Sequence, residues 1–140
     1  MIGLVLATHG SLGEALIQSM NVILGEQPQV EPLSLQVEDD IEEANRRLRE
    51  AVDNADSGDG VMILTDMLGG TPSNLSLALL SQPGIEVVSG VNLPMLLKAT
   101  QTRQQSSLRE TASKVKEHAR SSIIMASEVL EEGKGEAPGQ

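Results

Sequence analysis

The sequence predicts a single-domain α/β fold: an open, mostly parallel sheet with helices on both faces. Two observations carry that reading. Uninterrupted aliphatic runs recur at residues 2–7 and 61–65, as in strands covered on both sides. After each run the apolar period switches to that of an amphipathic helix, and strands alternate with helices four times, the pattern of right-handed β-α-β crossovers. At 140 residues the chain matches one compact domain with one core. That domain is expected over residues 1–130, with the polar, Gly- and Pro-containing residues 131–140 as a disordered tail.

The elements follow in order. "IGLVLA", residues 2–7, is the first strand. Leu12, Ala15, Leu16, Met20, Ile23 and Leu24 then keep helical spacing, Gly25 supplies a stop, and Ser11 with Glu14 has the spacing of a capping box. "VEPLSL", residues 30–35, is a strand that Pro32 pushes towards an edge. Ile41, Ala44, Leu48, Ala51, Val52 and Ala55 trace a second helix, acidic at its start and carrying Arg46, Arg47 and Arg49 further on. "VMILT", residues 61–65, leads into "DMLGGTPSN", where Thr71 is expected to cap a helix and Pro72 to take its first position. The following "LSLALL" is apolar almost all round, so that helix is expected to be deeply buried. Residues 85–90 form a fourth strand, a helix starts at Pro94, and another carries Leu108, Ala112, Val115 and Ala119. "SSIIMASEV", residues 121–129, reads as a last strand or as continued helix.

Composition narrows the function. Phe, Tyr and Trp are absent, and Lys+Arg 10 against Asp+Glu 20 leaves a net charge of -10. Base stacking and phosphate-backbone neutralisation are both poorly served, so nucleic acid is not expected as a ligand. Cysteine is absent too, which removes disulfides and thiolate metal sites. The apolar opening lacks a basic leader region and no run reaches the roughly 20 residues of a membrane span. The expectation is a cytoplasmic protein without membrane insertion.

In open α/β sheets the ligand crevice lies beyond the carboxyl ends of the strands. Three segments reach it: His9 after the first strand, Asp66–Asn74 after the third, and Gly90–Pro94 after the fourth. Helix starts there favour a phosphate, and Gly69 and Gly70 let backbone N–H groups approach an oxyanion. Arg and Lys are missing from residues 2–25 and 61–97, and neither a P-loop nor G-x-G-x-x-G is present, so an ATP-using kinase is disfavoured. His9 and Asp66 are too few ligands for metal catalysis, and no metal or cofactor is expected. What remains is a nucleophilic imidazole, His9, whose second ring nitrogen Asp66 orients. Taken singly, each of these residues is also an ordinary turn or cap residue, and "GGTP" an ordinary helix start. His118, among charges late in its helix, reads as solvated. A histidine phosphatase is a rival class, but Thr8 stands where such enzymes present an arginine beside the histidine. A receiver domain lacks its acidic pair after the first strand.

Together, "ATHG" at 7–10, "TDMLGGTPSN" at 65–74 and "GVNLPML" at 90–96 resemble the mannose-type enzyme IIA of the bacterial phosphoenolpyruvate:sugar phosphotransferase system. The resemblance runs from residue 2 to about 130 and makes residues 1–130 a IIA domain. It implies a phosphocarrier: His9 takes a phosphoryl group from phospho-HPr on Nε2 and passes it to a IIB partner, which phosphorylates sugar during uptake. It pairs Asp66 with His9 and places Thr71 beside the phosphate, with Gly10, Ser11, Gly69 and Gly70 completing the phosphate site. It also implies a homodimer exchanging one antiparallel strand, here residues 121–129, and peripheral association with a membrane permease complex. Leu68 replaces a tryptophan familiar before the double glycine, and no IIB domain follows, so IIB is expected as a separate protein. A regulatory module read through its His9 phosphorylation state, without sugar transport, is the alternative.

Overall fold

A computed structural model describes residues 1–133. The order is β1 (Gly3–His9), α1 (Leu12–Leu24), β2 (Val30–Leu35), α2 (Ile41–Ala55), β3 (Val61–Thr65), α3 (Thr71–Ala78) with a 3-10 turn at Leu79–Ser81, β4 (Ile85–Ser89), α4 (Leu93–Thr102), α5 (Leu108–Ser121) and α6 (Ala126–Glu132). The four strands form one parallel sheet in the order β2-β1-β3-β4. The two aliphatic runs, β1 and β3, are the central strands.

Strand alternation explains why both runs lack polar residues. Leu4, Leu6, Met62 and Leu64 point to one face, against Met20 of α1, Leu96 and Ala99 of α4, and Val115 of α5. Val5, Ala7, Val61 and Ile63 point to the other, against Leu48, Ala51 and Ala55 of α2 and Leu79. Every side chain along β1 before His9, and every one along β3, therefore leaves water, with the apolar surface removed contributing on the order of 25 cal/mol per Å². Gly3 has a separate reason to be small: a Cβ there would sit 2.2 Å from the carbonyl oxygen of Ala55. The edge position of β2 suits Pro32, which has no N–H to offer a second neighbour.

Four local expectations are corrected. Ser11 and Glu14 do not form a capping box: Ser11 makes no side-chain cap bond at α1, and Glu14 instead accepts from Ser34 Oγ at 3.1 Å. The hydroxyl at the start of α1 is that of buried Thr8, which accepts from Gly13 N at 2.8 Å. Thr71 does not cap α3 either, because the preceding Gly70 occupies the cap and Thr71 is already helical. Nor is α3 deeply buried. It packs Pro72, Ser73 and Ser76 inward but leaves Leu77, and Leu80 in the 3-10 turn that follows, exposed, since the sheet and α2 cover only one side of it. Finally, residues 121–129 form no strand. After α5 ends at Ser121 a non-helical stretch carries exposed Ile123, Ile124 and Met125, and α6 follows, leaving a sheet that is parallel throughout. β-Branched residues supply strand propensity, but a strand needs a partner edge, and within this chain the segment pairs with none.

Residues 131 and 132, expected in the tail, belong to α6, while 134–140 lie outside the described residues. Among the described residues no helix is long and apolar enough to cross a membrane. Gly3→Ala should lower stability by about 1–3 kcal/mol, the usual range for overpacking a core, because backbone rather than a movable side chain blocks the new methyl group. Urea denaturation of both proteins checks it.

Candidate active site

The site forms where β1 and β3 end side by side. Ala7 pairs with Thr65, so His9, two residues further along, and Asp66, one residue further, emerge together at the carboxyl edge of the sheet. His9 is the last residue of β1 and its side chain is 44% exposed, whereas that of Asp66 is 12% exposed. The carboxylate is saturated with donors. Its Oδ2 accepts from the backbone N–H of His9 and faces His9 Nδ1, both at 2.9 Å, and Oδ1 accepts from Met67 N–H at 3.0 Å. Burial pushes the Asp66 carboxyl upward, but these hydrogen bonds and the attraction of the imidazole outweigh it, leaving the group below the ordinary aspartate value.

That fixes the tautomer. An ionised carboxylate only accepts, so the ring nitrogen facing it, Nδ1, carries the proton. In the neutral ring Nε2 then holds the lone pair, and among the described residues it has no hydrogen-bond partner. The β3–α3 loop comes up against this nitrogen. Gly69 and Gly70 have φ of 88° and 89°, and a Cβ on Gly70 would lie 3.1 Å from both Cε1 and Nε2 of His9. Gly70 is thus demanded by conformation and by contact; Gly69, with open space around it, by conformation alone. Gly70 is the N-cap of α3, so the free N–H groups and positive dipole end of that helix lie beside Nε2.

The remaining residues separate into two groups. Gly10 turns the chain at φ 55° and donates its N–H to Leu35 O at 2.9 Å, which ties the residue after His9 to the end of β2. Ser11 and Thr71 are exposed at the starts of α1 and α3, and neither is hydrogen-bonded to His9 or Asp66. The Gly90–Pro94 segment serves the scaffold: Gly90 and Val91 donate to Thr65 O, and Asn92 Oδ1 caps α4 by accepting from Met95 N at 2.9 Å. Sequence reasoning missed Thr8 and the Thr65–Ser89 hydroxyl pair at 2.7 Å, both beneath the site. Only their position at strand ends could have signalled them. Among the described residues no cluster of three or more His, Cys, Asp or Glu could hold a metal ion.

Two outcomes follow from this geometry. Because the Asp66 pKa is lowered on folding, its contribution to stability is present above about pH 3.9 and is lost as pH falls through the lower folded value. The stability difference between wild type and Asp66→Asn, followed by urea denaturation against pH, should be level from neutrality down to about pH 4 and shrink below it. Gly70→Ala should disturb the His9 ring while leaving the core intact, read as altered ¹⁵N shifts of Nε2 in an otherwise native spectrum.

Known proteins resemble the chain in sequence and fold. The model of the family described as PTS system fructose IIA component matches residues 3–116, spanning β1 through α5 up to Lys116. The PTS system fructose-specific EIIA component of Bacillus subtilis is 27% identical over 135 residues, covering 96% of this chain and 92% of that protein. The PTS system mannose-specific EIIAB component of Escherichia coli is 31% identical over 103 residues; the match covers 73% of this chain but only 32% of that longer protein. The crystal structure of the phosphotransferase system component EIIA of Streptococcus agalactiae superposes with a TM-score of 0.83 at 27% identity, over 91% of this chain and 99% of that one. Matched by that family's model over residues 3–116, and with His9 and Asp66 paired where its first and third strands end, the chain belongs to the PTS system fructose IIA component family.

Proposed function

We propose that the chain is a phosphocarrier in which His9 Nε2 accepts a phosphoryl group from phospho-HPr and passes it to a separate IIB component for sugar uptake. One observation carries this: Nδ1 of His9 is held by Asp66 while Nε2 is free, beside the N-terminus of α3. The Nε2 lone pair attacks phosphorus as the bond from phosphorus to the donor nitrogen breaks, and the donor imidazole keeps that electron pair. Positive charge develops in the His9 ring and faces the Asp66 carboxylate. The Nδ1 proton stays in place, so the same steps in reverse release the group to the next carrier. Gly70 and the first turn of α3 meet the phosphoryl oxygens, with Gly69, Gly10, Ser11 and Thr71 around them. No Lys or Arg occurs in residues 2–45 or 61–97, and the Asp66 carboxylate is taken up by His9 and Met67, which favours relay over hydrolysis.

The working form is proposed to be a cytoplasmic homodimer, associating peripherally with a membrane permease. β4 has a free edge, bounded by a groove of about 400 Å³ between Val87 and Ser89 of β4 and Arg109 and Lys116 of α5. The exposed, non-helical Ile123–Met125 segment has the residue types of a strand that pairs with such an edge in a second copy.

Incubation with phosphoenolpyruvate, enzyme I and HPr should add one acid-labile phosphate to the wild type and none to His9→Ala, by intact mass. Asp66→Asn should slow transfer by roughly 10- to 100-fold, as when other carboxylates that orient a histidine are removed, and unchanged kinetics would remove its assigned role. Onward transfer to a IIB protein distinguishes a relay from a regulatory module. Sedimentation should give a dimer that Ile124→Lys weakens.

A further inference from the structure

At the amino end of the sheet, opposite His9, lies an open cleft of about 580 Å³. It forms there because parallel strands begin at one edge as well as end at one: Ile2 precedes β1, Gln29 precedes β2, and Asp59 lies shortly before β3. The connection from α4 to α5 closes the other side with Arg103, Gln104 and Ser106. The relay uses nothing at this end of the molecule.

Arg103 sets the character of the cleft. It is 2% exposed, burial pushes its guanidinium below the ordinary arginine value, and no carboxylate among the described residues pairs with it. Two of its five N–H groups are used: Nη1 donates to Gln29 O at 3.2 Å and Nη2 to Pro28 O at 2.7 Å. A neutral amide side chain could serve two carbonyls without the cost of desolvating a full charge, and carbonyl dipoles do not cancel that charge. At the same cleft begins α5, a helix of 14 residues whose N-cap Ser107 accepts the N–H of Glu110 at 3.3 Å. The N–H groups of Leu108 and Arg109 have no intrahelical acceptor, so the positive end of the helix is open there. Lys114 Nζ adds a second cation at the rim, donating to Ser106 Oγ at 3.1 Å. Two carboxylates stand near: Asp59, which lines the cleft, is paired with the amino group of Met1, and Glu110 is exposed on the first turn of α5.

We propose that this cleft binds a small hydroxylated phosphate monoester, the class to which sugar phosphates belong. The Arg103 guanidinium and the first turn of α5 meet the phosphate, supplying the counter-charge relation that the chain itself leaves open. Gln29 keeps its Oε1 for a ligand hydroxyl, its Nε2 being held by Ala55 O at 2.8 Å, and Gln104 and Ser106 offer further polar groups. The volume lies within the roughly 300–1,000 Å³ of small-molecule sites, above what a bare ion fills, and the lining is mainly polar. The site is separate from the crevice at His9, and the proposal does not depend on the carrier reading.

The test titrates the protein with glucose 6-phosphate and with glycerol 3-phosphate, followed by calorimetry and ¹H–¹⁵N shift mapping; glucose and inorganic phosphate are the controls. At least one of the two esters should bind saturably, more tightly than inorganic phosphate, with shifts at Gln29, Arg103, Gln104 and Ser106 and no binding of glucose. Gln104→Glu, at an exposed position, should weaken binding about tenfold by placing a carboxylate in the cleft, with thermal unfolding unchanged. Arg103→Gln keeps a donor for the carbonyls of Pro28 and Gln29 and should abolish binding; if it does not fold, Gln104→Glu decides. Absence of saturable binding by both esters at millimolar concentration would overturn the proposal, as would equal affinity for inorganic phosphate or wild-type affinity in Gln104→Glu. Shifts confined to His9, Gly69 and Gly70 would place the phosphate in the crevice and overturn it too. Labelling of His9 by phospho-HPr should be the same in Gln104→Glu and wild type, so failure here leaves the carrier reading standing.

Discussion

The arrangement depends on one carboxylate. Asp66 Oδ2 accepts both the backbone N–H and the ring Nδ1 of His9, so a single oxygen fixes where the end of β1 lies and how its side chain is turned. Remove the backbone bond and the ring could still rotate to find the carboxylate; remove the ring bond and the tautomer would be open. Having both means that the nitrogen left free is always the one beside Gly70. The constraint reaches the carboxylate too, because its burial would favour protonation were it not supplied with donors.

This contact exists because the sheet is parallel. Parallel β1 and β3 end at the same edge, and their register sets His9 and Asp66 at neighbouring positions beyond the last paired residues. The core makes that register hard to slip, since moving β3 by one residue would exchange Met62 and Leu64 for Val61 and Ile63 on each face. The carbonyl of Thr65 adds a further tie, accepting from both Gly90 and Val91 just before the chain turns at Asp66. Precision at the site is thus inherited from apolar packing several residues below it.

The electrostatics around His9 are unusual for the phosphoryl-transfer site proposed there. Beside the imidazole itself the described residues place the N-terminus of α3 and backbone N–H groups, while Lys116 and Arg120 border a groove at the end of β4 with Ser89, Gly90 and Asn92. A site of this kind would hold phosphate less firmly than an arginine clamp, which suits the relay proposed for it. Exposed Leu77 on α3, Leu80 in the 3-10 turn after it and Ile123–Met125 after α5 give the molecule further apolar surface.

The central strands, their helices and the pairing of His9 with Asp66 were legible in the sequence because each rests on local chemistry: aliphatic runs for strands buried on both faces, strand-end residues for the crevice, paired glycines for left-handed backbone. What failed were inferences about which group satisfies which. Ser11 and Thr71 have the right residue type for caps, but Thr8 and Gly70 hold those positions, because the angle at which each strand enters its helix decides which oxygen or backbone group reaches the first turn. The β-branched residues of 121–129 left strand and helix both open, because pairing is a property of edges and not of segments. The sequence by itself determined the fold class and the pairing of His9 with Asp66. Only the tertiary structure decided which imidazole nitrogen is free and how closely Gly70 approaches it, because those follow from distances between strands that only packing sets.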